Sequence, residues 1–102
     1  MVVAANKEIT VASGLFSLGE CVITPRAREV LASISVETND LLRRHQSGDW
    51  ADMDQHDQAA NRAALNNNAR VFSMYRLADQ HRVYVITEGD RLVTTILLPS
   101  EY

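Results

Sequence analysis

The chain carries one cysteine, two prolines and four glycines in 102 residues. A lone cysteine cannot cross-link the fold, so disulfide staples are excluded and a reducing compartment fits best. So few prolines and glycines exclude collagen-like, linker-rich and low-complexity architectures. Neither sign of charge dominates: 10 Lys+Arg against 13 Asp+Glu give a formal net charge of −3. That balance is too weak for a DNA mimic and supplies no general pull toward nucleic acid, leaving room only for a local basic patch. No run approaches the ~20 apolar residues of a transmembrane helix. The stretch MVVAANKEIT lacks the basic start and apolar core of a signal peptide. The expectation is a cytoplasmic protein with no membrane contact.

What is present is an ordinary globular composition, 46% hydrophobic and 23% charged, which excludes wholesale disorder. The length suits a single domain, 1–102, with a core that needs no metal or cofactor. Cys21, in the strand-like run ECVIT, reads as a small buried hydrophobe.

The most ordered signal is Arg82 to Leu98. Two runs rich in β-branched and aromatic residues, Arg82–Glu88 and Arg91–Leu98, flank a Glu-Gly-Asp turn, with Gly89 expected to supply permissive backbone. A third strand, Ala69 to Leu77, alternates Val71, Ser73 and Tyr75 against Phe72 and Met74. Together these make an antiparallel meander. Residues 1–7 are expected to fray, Lys7 to Ala12 to form a short strand, and Leu15 to Ile23 another, bent at Gly19. Thr24-Pro25 starts a helix running to about Ser33, with Ala27, Val30, Leu31 and Ile34 on its buried face. A second helix follows from Thr38 through Gln46, with Leu41, Leu42 and His45 on one side; one continuous helix from Pro25 to Gln46 is the alternative. Asp54 or Asp52 caps a third, Gln55 to Asn66, whose inner face is Ala60, Ala63, Ala64 and Leu65. Asn66-Asn67-Asn68 ends it. The fold class is α+β: two or three helices packed on an antiparallel sheet that ends in a three-strand meander.

Three constellations carry candidate chemistry. In Arg43-Arg44-His45-Gln46-Ser47-Gly48-Asp49-Trp50, a histidine near an aspartate suits acid–base work and the arginines suit phosphate. The simpler reading has Asp49 capping and Trp50 plugging the core edge. Asp49, Asp52, Asp54 and Asp57 form an acidic cluster, but without the glycine and bidentate glutamate of a calcium loop. His45, His56 and His81 lack metal-ligand spacing, so no metal is expected. Thr87, Glu88, Arg91, Thr94 and Thr95, with Ser73 and Tyr75 on the next strand, are a potential phosphate-binding face. Their simpler reading is cross-strand pairing.

The order TP…LLRRHQSGDWADM…NRAAL…RVFSMYRL…VYVITEGDRLVTTILLPSEY resembles a family of small proteins encoded on plasmids, integrative elements and phages. Its members show RHxxGDWGD and ITEADRSxTTILLPEEY, and often carry a type I restriction-subunit label. This chain is far too short for a methyltransferase or helicase. The layout also resembles the barnase/RelE-like ribonucleases. Those resemblances mark His45, Asp49, Asn61, Tyr75, Arg91, Thr94 and Thr95 as the positions to watch. Ala51, Gly89 and Leu92 replace the family's glycine, alanine and serine.

The preferred expectation is a non-enzymatic accessory protein of a mobile element. It binds a host or element-encoded protein complex, nucleic-acid-binding in kind, and inhibits host defence in the anti-CRISPR or antirestriction manner. Asp49, Trp50, Asp52, Asp54 and Asp57 would carry that contact. The rival is a metal-independent ribonuclease built on His45, Tyr75, Arg91 and Thr94. It requires these side chains to converge in one cleft. A homodimer formed through an exposed strand is the third reading.

Overall fold

Local chemistry sets the helix boundaries. The computed structural model of the chain describes residues 3–4 and 14–102. Helix α1 spans Pro25–Ser33; the Thr24 hydroxyl accepts the Ala27 N–H at 3.1 Å and proline occupies the first turn. Ser35 then adopts left-handed backbone, φ +57°. The Val36 N–H reaches the Leu31 carbonyl and the Ser35 N–H the Ala32 carbonyl. This pair of bonds closes a helix as a Schellman end, here with serine where glycine is usual. The single-helix alternative is thereby excluded. Helix α2 spans Thr38–Gln46 with Glu37 at the capping position. Helix α3 spans Gln55–Asn67, capped by Asp54 through the Asp57 N–H and ended by Asn68 at φ +54°.

The inner face of α3 differs from the alanine stripe expected. Asn61 and Ala64 are buried, whereas Ala60 and Ala63 face out. Asn61 sets the helix rotation. Its Nδ2 donates to the Phe72 carbonyl and its Oδ1 accepts the Phe72 N–H, both at 2.9 Å. A side-chain amide thus takes the place of a neighbouring strand.

Among the described residues the sheet has five strands: β1 (Val3–Ala4), β2 (Glu20–Ile23), β3 (Val71–Arg76), β4 (Arg82–Thr87) and β5 (Val93–Leu97), in the order β1-β2-β5-β4-β3. The C-terminal meander of β3, β4 and β5 is antiparallel, as expected. β2, however, lies parallel to β5, so the sheet is mixed. A parallel neighbour needs a long crossover, and the helices between β2 and β3 lie within one. The expected fraying of 1–7 is corrected at Val3–Ala4, which pair with Ile23 and Val22. The expected Lys7–Ala12 strand lies outside the described residues. Gly19, at φ +64°, bends the chain into β2. A Cβ there would run into the Leu92 carbonyl.

The inner sheet face packs Tyr75, Val83, Val85, Ile96, Cys21 and Ile23 against Leu18, Ala27, Leu31, Leu41 and Leu42. Trp50, Ala64 and Val71 form a second cluster under the loop between α2 and α3. On the other face, Tyr102 stands edge-on to Phe72 and Tyr84. Glu101 ties the turn after Leu97 to the start of α1, accepting the Thr24 hydroxyl at 2.7 Å. Its carboxyl is held below the usual range by the Leu98 N–H first and by the Thr24 hydroxyl second.

Two turns carry unusual backbone. The positive φ of the turn after β4 falls on Arg91, at +63°, and not on Gly89. Gly89 is needed for another reason, since a Cβ on it would lie 2.5 Å from the Asn68 carbonyl oxygen. Between β3 and β4, Asp79 and Gln80 have φ +57° and +62°, and the His81 N–H donates to the Ala78 carbonyl. Two positive φ values at the centre of a hairpin define a type I′ turn, which normally carries Asn-Gly. Gln80→Gly is therefore expected to stabilise the protein by about 0.5–1 kcal/mol in urea denaturation, because a side chain there costs strain that glycine does not. An unchanged or lower urea midpoint would contradict the turn assignment.

Candidate functional site

The polar residues that stood out in the sequence meet inside the core. Leu41, Leu42 and His45 share the buried face of α2, which places the imidazole over the sheet. Its Nδ1 lies 2.6 Å from the Ser73 hydroxyl on β3, and its Nε2 lies 2.8 Å from Thr87 Oγ1 on β4. Thr87 Oγ1 is 2.6 Å from Thr94 Oγ1 on β5, and Thr94 donates to the Leu18 carbonyl at 2.7 Å. Each hydroxyl has one proton to give. Thr94 gives its proton to Leu18, so Thr87 must donate to Thr94. Thr87 must then accept from His45, which fixes the proton on Nε2. The bare Nδ1 accepts from Ser73. The chain of bonds therefore runs in one direction, from β3 through α2 to β4 and β5.

This arrangement holds the imidazole neutral. His45 has no solvent exposure. Burial, aided by the positive charge of Arg91, pushes its pKa down to about 3. The edge of one ring faces the other between Phe16 and His45, whose centroids are 5.1 Å apart. Arg91 lies on the Phe16 ring at 5.7 Å. The guanidinium is occupied by backbone carbonyls: Nη1 donates to Ala69 at 2.7 Å and Nη2 to Ala64 at 2.8 Å. It closes the end of α3, where free carbonyls favour a cation.

The ribonuclease set is thus gathered without forming an accessible cleft. His45, Tyr75 and Thr94 have no exposed surface, and Arg91 is spent on carbonyls. Burial raises the Tyr75 pKa, with the Arg44 guanidinium opposing. Thr95 faces the other side of the sheet from Thr94 and is half-buried. Asn61 is the edge pin described above.

The RRHQSGDW segment is also structural. Arg44 Nε donates to Asp49 at 2.7 Å, and the guanidinium lies 4.3 Å above the Tyr75 ring. That hydrogen bond holds the Asp49 carboxyl below its ordinary range. Gly48 turns the chain at φ +80°. Trp50 is 3% exposed, which corrects its assignment to a partner contact and places it in the core. Asp52 accepts the Arg76 N–H at 2.9 Å on the outer edge of β3. The Cys21 thiol is buried, and burial raises its pKa, so it is a poor nucleophile.

Of the acidic residues, Asp52, Asp54 and Asp57 line a groove of about 430 Å³ between the start of α3 and the sheet. Its other wall and floor include Arg76, Arg82, Met74 and Tyr84, which the sequence analysis did not select. The available signal was strand alternation: even-numbered residues of β3 and β4 share the face opposite the core. Among the described residues, no three His, Cys, Asp or Glu side chains form a group able to hold a metal ion. No helix among them is long and apolar enough to cross a membrane. Comparison with known proteins finds no matching family model, no similar curated protein and no similar solved structure.

Adjacent threonines separate core from surface roles. Thr94→Val is expected to cost about 1–3 kcal/mol, because it removes the Leu18 bond and strands the Thr87 proton. Thr95→Val should stay within about 0.5 kcal/mol of wild type. Equal costs in urea denaturation would refute the chain of hydroxyls.

The pH dependence follows from the lowered His45 pKa. The unfolded imidazole titrates near its ordinary 6.5 and the folded one near 3, so between these the unfolded state binds more protons. The contribution of neutral His45 is complete above pH 6.5 and is lost as pH falls toward 3. From pH 6.5 to 5, stability should drop with a slope approaching ~1.4 kcal/mol per pH unit. His45→Leu should flatten that slope even though it is less stable at pH 7. A slope retained in the variant would assign the titration elsewhere.

Proposed function

We propose that the chain is a non-enzymatic binding protein that acts on another protein. Its role in this reading is that of a mobile-element accessory which inhibits a host defence complex, of the anti-CRISPR or antirestriction kind. One observation supports it above others: His45, Tyr75 and Thr94 have no exposed surface. A general acid or base must reach the proton it moves and titrate near the working pH. His45 does neither, and the Arg91 guanidinium, whose charge lowers its pKa, is bonded to carbonyls. The mobile-element assignment rests on the resemblance of the LLRRHQSGDWADM and ITEGDRLVTTILLPSEY segments. The partner is a host or element-encoded complex that itself handles nucleic acid, and the buried, lone Cys21 suits the cytoplasm. Pairing of two copies along β3 is disfavoured, because Asn61 and Asp52 already hold Phe72 and Arg76 on that edge.

Incubation with labelled RNA in EDTA is the direct test. No cleavage above the blank is expected, beside reproducible capture of a defined host complex from nuclease-treated lysate. Cleavage by the wild type that disappears in a folded Arg91→Ala variant would replace this reading with the ribonuclease.

A further inference from the structure

The groove beside α3 presents unpaired charges of both signs across an apolar floor. Asp54 and Asp57 stand on one wall. Arg76 and Arg82 stand on the other, directly opposite each other in the β3–β4 register. None of the four takes part in a salt bridge among the described residues. Like charges facing each other across strands destabilise a sheet. Neither guanidinium is bridged to Asp52, Asp54 or Asp57 of the same groove, so each can take a carboxylate from outside. Met74 and Tyr84 pair across the same two strands and provide the apolar floor.

The backbone of β3 adds an independent observation. Phe72 bonds outward to Asn61, and Arg76 donates outward to Asp52. Strand alternation therefore turns the N–H and C=O of Met74, midway between them, outward as well. Neither group has a partner among the described residues. One unclaimed donor and one unclaimed acceptor on a strand edge match an extended polypeptide, which supplies both. The acidic wall disfavours a nucleic-acid backbone.

We propose that this groove docks an extended segment of a protein partner carrying a cationic side chain, a central apolar residue and a carboxylate. The cation meets Asp54 and Asp57, and the carboxylate meets Arg76 and Arg82. The apolar residue packs on Met74 and Tyr84, and the segment's backbone bonds Met74. This assignment rests on the protein-binding reading and locates its surface.

The test uses blocked pentapeptides titrated into the ¹⁵N-labelled protein: Ac-Lys-Val-Leu-Val-Glu-NH₂ and versions with Lys at both ends, Glu at both ends or Gln at both ends. The mixed-charge peptide should shift the Met74 amide saturably and bind about tenfold more tightly than the Gln version. Arg82→Glu should transfer the preference to the double-Lys peptide, and Asp57→Lys to the double-Glu peptide. Equal binding of all four, no shift at Met74, or a shift produced only by a ten-nucleotide oligouridylate would overturn the groove assignment. Capture of the host complex by the same two variants separates the two claims. Undiminished capture sinks the groove and leaves the protein-binding reading. Peptide shifts without any specific capture sink that reading and keep the groove.

Discussion

The hydrogen-bond chain through His45 is the constraint on which the structure depends. It links one helix to three strands with four short contacts, and every member is buried. An imidazole in an apolar core is costly unless both ring nitrogens are satisfied. Here a strict order of donors satisfies them, and that order requires a neutral ring. The same contacts set strand register. A one-residue slip of β4 or β5 would turn Thr87 or Thr94 to the opposite face and break the chain.

A second device recurs around the rim: side chains stand in for missing backbone partners. Asn61 and Asp52 occupy the outer edge of β3. Arg91 gathers the carbonyls at the end of α3 and after it. Glu101 holds Thr24 and the Leu98 N–H. Three residues that looked chemically suggestive, Asn61, Asp52 and Arg91, are used in this way. Their polarity answers the requirement that buried or edge backbone groups be paired.

The helix starts and the meander were legible in the sequence because each rests on local chemistry. Thr24-Pro25 and Asp54 cap as their types demand, and the alternation in β3 to β5 has a period of two. What escaped was non-local. The parallel pairing of β2 with β5 depends on a crossover, and no residue of ECVI specifies its neighbour. The rotation of α3 escaped because alanine has no strong directional preference, whereas one Asn61 pair of bonds does. The convergence of His45, Ser73, Thr87 and Thr94 was partly foreseen, yet its burial was not. A polar residue on an amphipathic helix reads as a surface group until its partners are located. Trp50 shows the reverse: a polar loop surrounds it, but its ring area drives it inward.

Catalysis and binding place opposite demands on such residues. A catalytic histidine needs solvent or substrate on one nitrogen and a pKa near neutrality. His45 has threonine and serine on its two nitrogens and a pKa of about 3, so its chemistry is directed inward. A binding surface needs only shape, unspent charge and accessible backbone. The groove between α3 and the sheet has these in Asp54, Asp57, Arg76, Arg82 and the outward edge of Met74. None of those residues is chemically unusual alone. Their significance comes from the fold, which uses the reactive residues to build a core and leaves common ones facing out.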